Sequence, residues 1–239
     1  MNPYNDESSK KEQVREMFDN IAPTYDRLNH TLSAGIDRLW RRRTVRIVSQ
    51  SRPQRVLDLA SGTGDLAIAL AKAMPQCAVT GADISEGMLS LAREKARQAG
   101  LEGRIDFVCG DAERMEFADG TFDAVTVAFG VRNFGDIPAG LREMLRVLRS
   151  GGVAAVLELS VPKNPVVRRL YGVYAHTVLP LLGGAVSHDR AAYRYLPESV
   201  DEFPSPEKFL GIMAEAGFTG CRYRSLTFGT ARIYTASKP

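Results

Sequence analysis

The chain predicts an α/β fold: a doubly wound, mostly parallel sheet of seven strands closed by a terminal antiparallel hairpin. Three observations predict it. From residue 55 onward short apolar runs alternate with amphipathic stretches, the pattern of βαβ units with right-handed crossovers. The runs are apolar nearly throughout, as strands covered on both faces must be. Near the C-terminus two more runs are joined by a turn too short for the crossover that parallel pairing needs.

The elements follow in order. Residues 1–50 are read as an N-terminal helical extension, a lid, and 51–239 as the sheet domain with a helical insertion at about 162–200. Within the extension "DRLWRRRTVR" (37–46) concentrates basic residues. It reads as the solvated face of a helix, with contact to an anionic membrane surface or partner as the alternative. Strands are expected at 55–60, 78–83, 105–110, 122–129 and 152–160, with helices at 65–73, 85–99 and 137–149 between them. Ser85 is a suitable N-cap, Gly100 ends the helix it starts, and Pro138 suits a first helical turn. Ser150–Gly151–Gly152 reads as the stop of the third helix. Beyond strand five come a helical segment at about 165–186, a loop "SHDRAAYRYLPESVDEFP", a helix at 206–216, and strands 221–228 and 232–236 about a Gly229–Thr230 turn.

Bulk properties narrow the class. A chain of 239 residues, 44% hydrophobic and 25% charged, suits one large globular domain with modest additions. The net charge of +3 is too weak to imply a polyanion partner. Cys77, Cys109 and Cys221 are scattered, with no C-x-x-C pair and no histidine at ligand spacing. They suggest buried thiols in a reducing compartment and argue against a disulfide framework or a metal site. The start, "MNPYNDESSKKEQ", lacks the apolar region of a signal peptide. The uncharged stretch 170–187 is interrupted by Pro180 and Gly183–Gly184, so it does not read as a spanning helix. A cytoplasmic protein is expected.

Chemistry concentrates in "RVLDLASGTGDLA" (55–67), where a strand runs into a glycine turn. Gly62, Gly64 and Ala67 fit the G-x-G-x-x-A dinucleotide fingerprint, whose backbone N–H groups meet a pyrophosphate. Asp58 inside the strand and Asp65 at the turn oppose that reading. A carboxylate repels a diphosphate but attracts the ammonium and sulfonium of S-adenosylmethionine. Asp83 ends the second strand about twenty residues after the glycines, where a carboxylate binds ribose hydroxyls. Asp111–Ala112 follows the third strand, placed for an adenine edge. The second nucleotide half that NAD requires has no counterpart after residue 160. The fold is therefore read as the Rossmann-like sheet of class I S-adenosylmethionine-dependent methyltransferases. After the fourth strand, "AFGVRNF" (128–134) sets Arg132 and Asn133 between Phe129 and Phe134. It lacks the Asn/Asp/Ser-Pro-Pro-aromatic pattern used on nucleic-acid amino groups. A nucleic-acid partner is not expected; an aromatic small molecule that becomes anionic is.

From about Val14 to the C-terminus the chain resembles the menaquinone/ubiquinone C-methyltransferase family. The resemblance rests on "YDRLNHTLSAGIDRLW" (25–40) and "RVLRSGGVAAVLELS" (146–160), with "FGVRNF" and "YRYLPESV" (193–200) beside them. Leu28 stands where the family usually has Met, Asp37 where it has His, and Arg149–Ser150 where Lys-Pro is commoner. The resemblance implies S-adenosylmethionine binding at Thr63, Asp83 and Asp111–Ala112, with Ala128 in place of a serine that meets the cofactor. It implies methyl transfer to a ring carbon of a prenylated quinol: demethylmenaquinone giving menaquinone, or a ubiquinone-precursor benzoquinol. A cofactor-binding partner without catalysis is the competing class.

A neutral aromatic carbon is a weak nucleophile, whereas a quinolate is a strong one, so the reduced ring is the expected acceptor. Arg132 is assigned to the phenolate and Asn133 to orienting it, with a structural ion pair as the alternative for Arg132. Asp58, Gly62, Gly64 and Tyr25 complete the expected cofactor site, Tyr25 as part of the lid. His30, His176 and His188 are candidate bases by type alone, and Glu158 either faces the rim or pairs with a local cation. The stretch "LYGVYAHTVLPLLGGAV" (170–186) reads as a prenyl channel, a bilayer contact or a buried cap, with Trp40 and its neighbouring arginines as further surface contact. Oligomeric state is not legible.

Overall fold

The computed structural model describes residues 2–4, 7–178 and 190–239. Two helices, α1 (Lys10–Leu32) and α2 (Ile36–Ser49), precede the sheet. The sheet domain runs β1 (Arg55–Leu59), α3 (Asp65–Ala73), β2 (Ala78–Asp83), α4 (Glu86–Gln98), β3 (Ile105–Cys109), β4 (Phe122–Ala128), α5 (Ile137–Val147) and β5 (Leu148–Leu159). It continues with α6 (Pro165–Val173), α7 (Arg190–Glu202), α8 (Pro206–Glu215), β6 (Thr219–Leu226) and β7 (Ala231–Ser237). Strand order is β3-β2-β1-β4-β5-β7-β6. All pairings are parallel except β5 with β7 and β7 with β6. The expected seven-stranded sheet and terminal hairpin are present, and strand order reverses between β1 and β4.

Two apolar layers bury the sheet. On one face α5 and α8 contribute Leu141, Met144, Phe209 and Met213; on the other α2, α3 and α4 contribute Val48, Leu70 and Leu89. A third cluster joins α1 to α7 through Met17, Ile21, Tyr193 and Tyr195. Local chemistry sets the helix starts. Ser9 and Glu12 form a reciprocal capping box on α1, and the Ser85 hydroxyl accepts the Met88 N–H at the start of α4.

Four expectations fail, each for a physical reason. The Ser150–Gly151–Gly152 triplet does not stop α5. The helix ends at Val147, and the triplet lies inside β5 as a bulge against β4, where pairing jumps from Phe122–Leu148 to Ala124–Val153. Gly151 has φ +74°, and a Cβ at Gly152 would lie 2.8 Å from the Arg149 carbonyl oxygen, so glycine is required by the bulge. The expected loop 187–204 is largely α7; residues 187–189 lie outside the described residues. Ala192, Tyr195, Ser199 and Val200 share its buried face, a helical spacing that Pro197 obscured. The solvated face expected of the basic run 37–46 is present, since Arg38, Arg42, Arg43 and Arg46 are exposed, while Asp37, Trp40 and Arg41 are buried on the other side of α2. Trp40 makes no surface contact: it packs on Leu157, Leu226 and Ile233, and its Nε1 donates to Thr227 Oγ1 at 2.8 Å. Finally, only Cys77 is a buried thiol; Cys221 is half-buried and Cys109 exposed.

Candidate functional site

The site lies where strand order reverses, beyond the carboxyl ends of β1 to β4. Both central strands end in left-handed backbone at non-glycine residues, Ala60 after β1 (φ +51°) and Phe129 after β4 (φ +61°). Such conformations concentrate at ligand sites. The turn after β1 is fixed by Asp83, which accepts the Gly62 N–H at 2.7 Å on one oxygen and the Ser85 N–H at 2.9 Å on the other. Burial nevertheless holds the Asp83 carboxyl above its usual range, against the pull of those N–H groups. Gly64 (φ +79°) serves packing: a Cβ there would lie 2.9 Å from the Phe107 ring and 3.0 Å from Ala92 Cβ.

Three adjoining spaces open at this edge. The first, about 710 Å³, brings together Gly62, Asp83, Asp111, Ala112, Tyr25 and Asn133. Beside it a polar recess of about 330 Å³ gathers Asp58, Ser61, Thr63, Asp65, Arg41 and Tyr25. The third, about 730 Å³ and largely aromatic, is lined by Phe18, Tyr25, Arg41, Phe129, Arg132, Asn133, Tyr193 and Tyr195 among others. Phe18, Tyr25, Phe129 and Asn133 line both large cavities and form the wall between them.

Every expected cofactor residue except Gly64 therefore lines either the first cavity or the recess. Asp58 has Oδ1 held by Thr126 Oγ1 at 2.8 Å, while Oδ2 is buried without a hydrogen-bond partner, as is the Ser61 hydroxyl. Burial raises the Asp58 carboxyl to about 7, outweighing the Thr126 bond and the Arg41 charge. For Asp65 burial pushes the same way, but Arg41 and Lys95 outweigh it and hold its carboxyl low. Arg41, which the sequence reading passed over, pairs with Asp37, reaches Asp65 at 3.6 Å and stands 5.2 Å from the centre of the Phe129 ring.

Helix α1 lies across the first cavity. Lys11 bridges Asp111 at 2.6 Å and Glu113 at 3.0 Å; Lys10 donates to the Phe134 carbonyl at 2.9 Å. Farther along, Asp26 accepts from Thr63 and Lys95, and Asp19 from Ser85. Tyr25 is half-buried, and burial raises its hydroxyl pKa against the opposing charges of Arg132 and Arg41.

Arg132 is buried in an ion pair, its Nη1 2.6 Å from Glu158 Oε1 and also bonded to the Phe129 carbonyl. Burial opposes its charge, but Glu158 more than compensates and raises its pKa. The structural ion pair given as the alternative for Arg132 is therefore present, and the paired guanidinium also lines the aromatic cavity. Asn133 Oδ1 accepts the Tyr195 hydroxyl at 3.2 Å. Tyr195 was missed as a site residue because its segment read as a loop; the "YRYLPESV" resemblance was the available signal.

Neither described histidine lines the aromatic cavity, although His30 meets Asp37, which does. His30 lies between Asp37 (2.9 Å) and Asp65 (3.4 Å), and His176 faces Asp201 on the surface at 3.1 Å. His188 and residues 179–186 of the uncharged stretch are outside the described residues. Asp26, His30 and Asp65 bring ligand-type atoms within 4.8 Å of one another, but the Lys95 ammonium already bridges the two carboxylates.

Comparison with known proteins gives this arrangement a context. The profile described as the ubiE/COQ5 methyltransferase family matches residues 6–238. A demethylmenaquinone methyltransferase of Bacteroides fragilis is 46% identical over 236 residues, covering 99% of this chain and 96% of that protein. One from Thermus thermophilus is 50% identical, covering 93% of this chain and all of that protein. The ubiquinone/menaquinone biosynthesis C-methyltransferase UbiE of Geobacter sulfurreducens is 48% identical, over 97% of this chain and 90% of that protein. Among solved structures, an S-adenosylmethionine-dependent methyltransferase of Thermotoga maritima, described as a possible histamine N-methyltransferase, superposes with TM-score 0.68 at 18% identity, over 94% and 99% of the two chains. The [4+2]-cyclase SpnF superposes with TM-score 0.67 at 20% identity over 97% of each. These last two share the fold alone.

Proposed function

Because the chain belongs to the ubiE/COQ5 methyltransferase family, whose S-adenosylmethionine-dependent C-methylation serves menaquinone and ubiquinone biosynthesis, we propose that it methylates the reduced ring of demethylmenaquinone to give menaquinone. The observation that carries the reading is the pair of cavities sharing one wall. A cavity bordered by the strand-end carboxylates abuts an aromatic one through Phe18, Tyr25, Phe129 and Asn133.

The residues present fit S-adenosylmethionine. The unpartnered Asp58 Oδ2 and Ser61 hydroxyl are buried polar atoms beside the recess, suited to the ammonium of the amino-acid end. Asp83 keeps acceptor capacity for ribose hydroxyls beyond its two backbone bonds, and Asp111–Ala112 borders the adenine end. When bound, the donor supplies an electrophilic methyl group on a sulfonium.

The protein's own residues prepare the acceptor. Arg132, fixed by Glu158 and the Phe129 carbonyl, presents its remaining N–H groups to a quinol oxygen. This favours the quinolate, which places electron density on the adjacent ring carbon. Tyr195 holds Asn133 by its carbonyl oxygen, and the amide N–H₂, which reaches the Phe129 carbonyl at 3.5 Å, has a second hydrogen to orient the same ring. The aromatic lining excludes water and aligns the carbon with the shared wall, where alignment can remove up to about 7–11 kcal/mol of the barrier.

A prenylated acceptor resides in a bilayer, so the reading places the protein at the inner membrane face. Among the described residues no helix is long and apolar enough to cross a membrane.

The test is single-turnover transfer of labelled methyl to demethylmenaquinone, pre-reduced or oxidised, with wild type and Arg132→Ala. Product from the reduced ring only, with a loss of about 10²–10³-fold in the variant, is expected. Donor binding with no product on naphthoquinol overturns the assignment; product on a benzoquinol ring instead would redirect it to a ubiquinone precursor.

A further inference from the structure

A fourth cavity, about 740 Å³, lies outside the methyl-transfer site, between the end of β5, α6 and the N-terminus of α8. Arg232, Arg168, Lys163, Ser160, Ser205 and Asp201 are among its lining residues. Its carboxylates are already engaged: Glu207 holds Lys163 at 2.7 Å and Asp201 faces His176 at 3.1 Å.

Arg232 is not so engaged. It is 3% exposed, on β7 directly across from Glu158. Glu158, however, is committed to Arg132. Among the described residues no carboxylate lies within ion-pair distance of Arg232. Its Nε has no acceptor, Nη2 reaches the Val161 carbonyl at a long 3.4 Å, and the guanidinium otherwise stands 5.8 Å from the centre of the Tyr223 ring, a contact that supplies no anion. A buried guanidinium without an anion is a costly arrangement that a bound anion relieves. Arg168 adds a second cation, bonded only to the Pro162 and Lys163 carbonyls. Ser205 caps the ten-residue helix α8, whose first residues border the same space and add a favourable dipole.

The surroundings identify the anion's source. Of the five exposed large hydrophobic residues described, four stand on segments beside this cavity, and none is in its lining. Val166 (68% exposed), Leu170 (67%) and Val173 (59%) form one stripe of α6, which buries no residue and carries Arg168 on its other side. Phe228 is 82% exposed in left-handed backbone (φ +55°), next in chain to Gly229, which packs against Pro162 and the Arg232 guanidinium. Exposed apolar side chains on the segments beside an anion seat match the boundary between lipid headgroups and acyl chains.

We propose that this cavity seats the phosphate of an anionic phospholipid headgroup, with Phe228 and the α6 stripe entering the acyl layer. A prenylated acceptor is drawn from the same bilayer, the one point at which this site rests on the proposed function.

The experiment uses the full chain with neither donor nor quinol, so its failure is distinct from a failure of methyl transfer. Co-sedimentation is measured with phosphatidylcholine vesicles, alone and mixed with phosphatidylglycerol. Emission of Trp40, the sole tryptophan, reports on the neighbouring 227–229 turn. Inorganic phosphate is the free-anion arm. Wild type is expected to partition onto the anionic vesicles, with Arg232→Gln and Arg168→Gln each weakening it about fivefold and Phe228→Ser about tenfold. Should Arg232→Gln fail to fold by circular dichroism, the exposed Arg168→Gln carries the comparison. Absence of partitioning, or partitioning unaltered by the arginine substitutions, overturns the proposal. Arg232-dependent binding of inorganic phosphate without vesicle binding assigns a free anion and overturns the lipid assignment.

Discussion

Asp58 illustrates what a single buried group does to this protein. Its carboxyl titrates near 7 in the folded chain but near the ordinary aspartate value when unfolded. The native state therefore holds the extra proton between those values. Its contribution to stability is complete below the unfolded pKa and is lost as pH rises through about 7. Urea unfolding at about pH 5 and about pH 8 should show Asp58→Asn gaining on wild type at the higher pH, by on the order of 2 kcal/mol. A cationic ligand reverses the preference, so donor binding near pH 6 should release a proton. Calorimetry in two buffers of different ionisation enthalpy measures this, and the release should vanish in Asp58→Asn. Glu158 matters through its ion pair. It is fully buried against Arg132, so Glu158→Ala strands a cation and should cost about 3–5 kcal/mol in denaturant unfolding. The sequence made Asp58, Asp83 and Asp111 legible, because strand ends at a glycine turn constrain what can stand there. The Arg132–Glu158 pair spans distant segments, and no local pattern reports such a contact.

At the scale of elements, close packing explains both what could be read and what could not. Strand β2 crosses Phe107 at Gly81, where a Cβ would lie 2.6 Å from the ring. Gly81→Ala should destabilise by about 1–3 kcal/mol through overpacking, seen as a lowered Tm. Helices α3 and α4 could be read to within a residue because their apolar spacing and caps agree. Helix α7 could not, because Pro197 and its charged residues mask a face completed only by α1. The same contact places Tyr195 against Asn133. Tyr195→Phe should keep donor affinity but lower the single-turnover rate about tenfold, of the order expected for one hydrogen bond to a positioned group. A fall in donor affinity instead would show that α7 acts on the cofactor cavity.

Across the whole molecule, the parallel sheet and its hairpin followed from alternation and from one short turn, signals that persist over many residues. The β5 bulge and the cap formed by α1 and α7 did not, because each depends on partners far away in the chain. Donor alone at 100 times its Kd should raise stability by about 2.7 kcal/mol. That thermal shift should survive Arg132→Ala and be lost in Asp83→Ala, since the two residues line different cavities. The wall between those cavities has a kinetic consequence. Half of it, Phe18 and Tyr25, comes from α1, and half, Phe129 and Asn133, from the sheet edge. The acceptor chamber is therefore complete only after α1 has settled over the donor. Turnover should follow a compulsory order, donor on first and demethylated donor off last. S-adenosylhomocysteine would then compete with S-adenosylmethionine but not with the quinol, and a dead-end quinol analogue would be uncompetitive toward the donor.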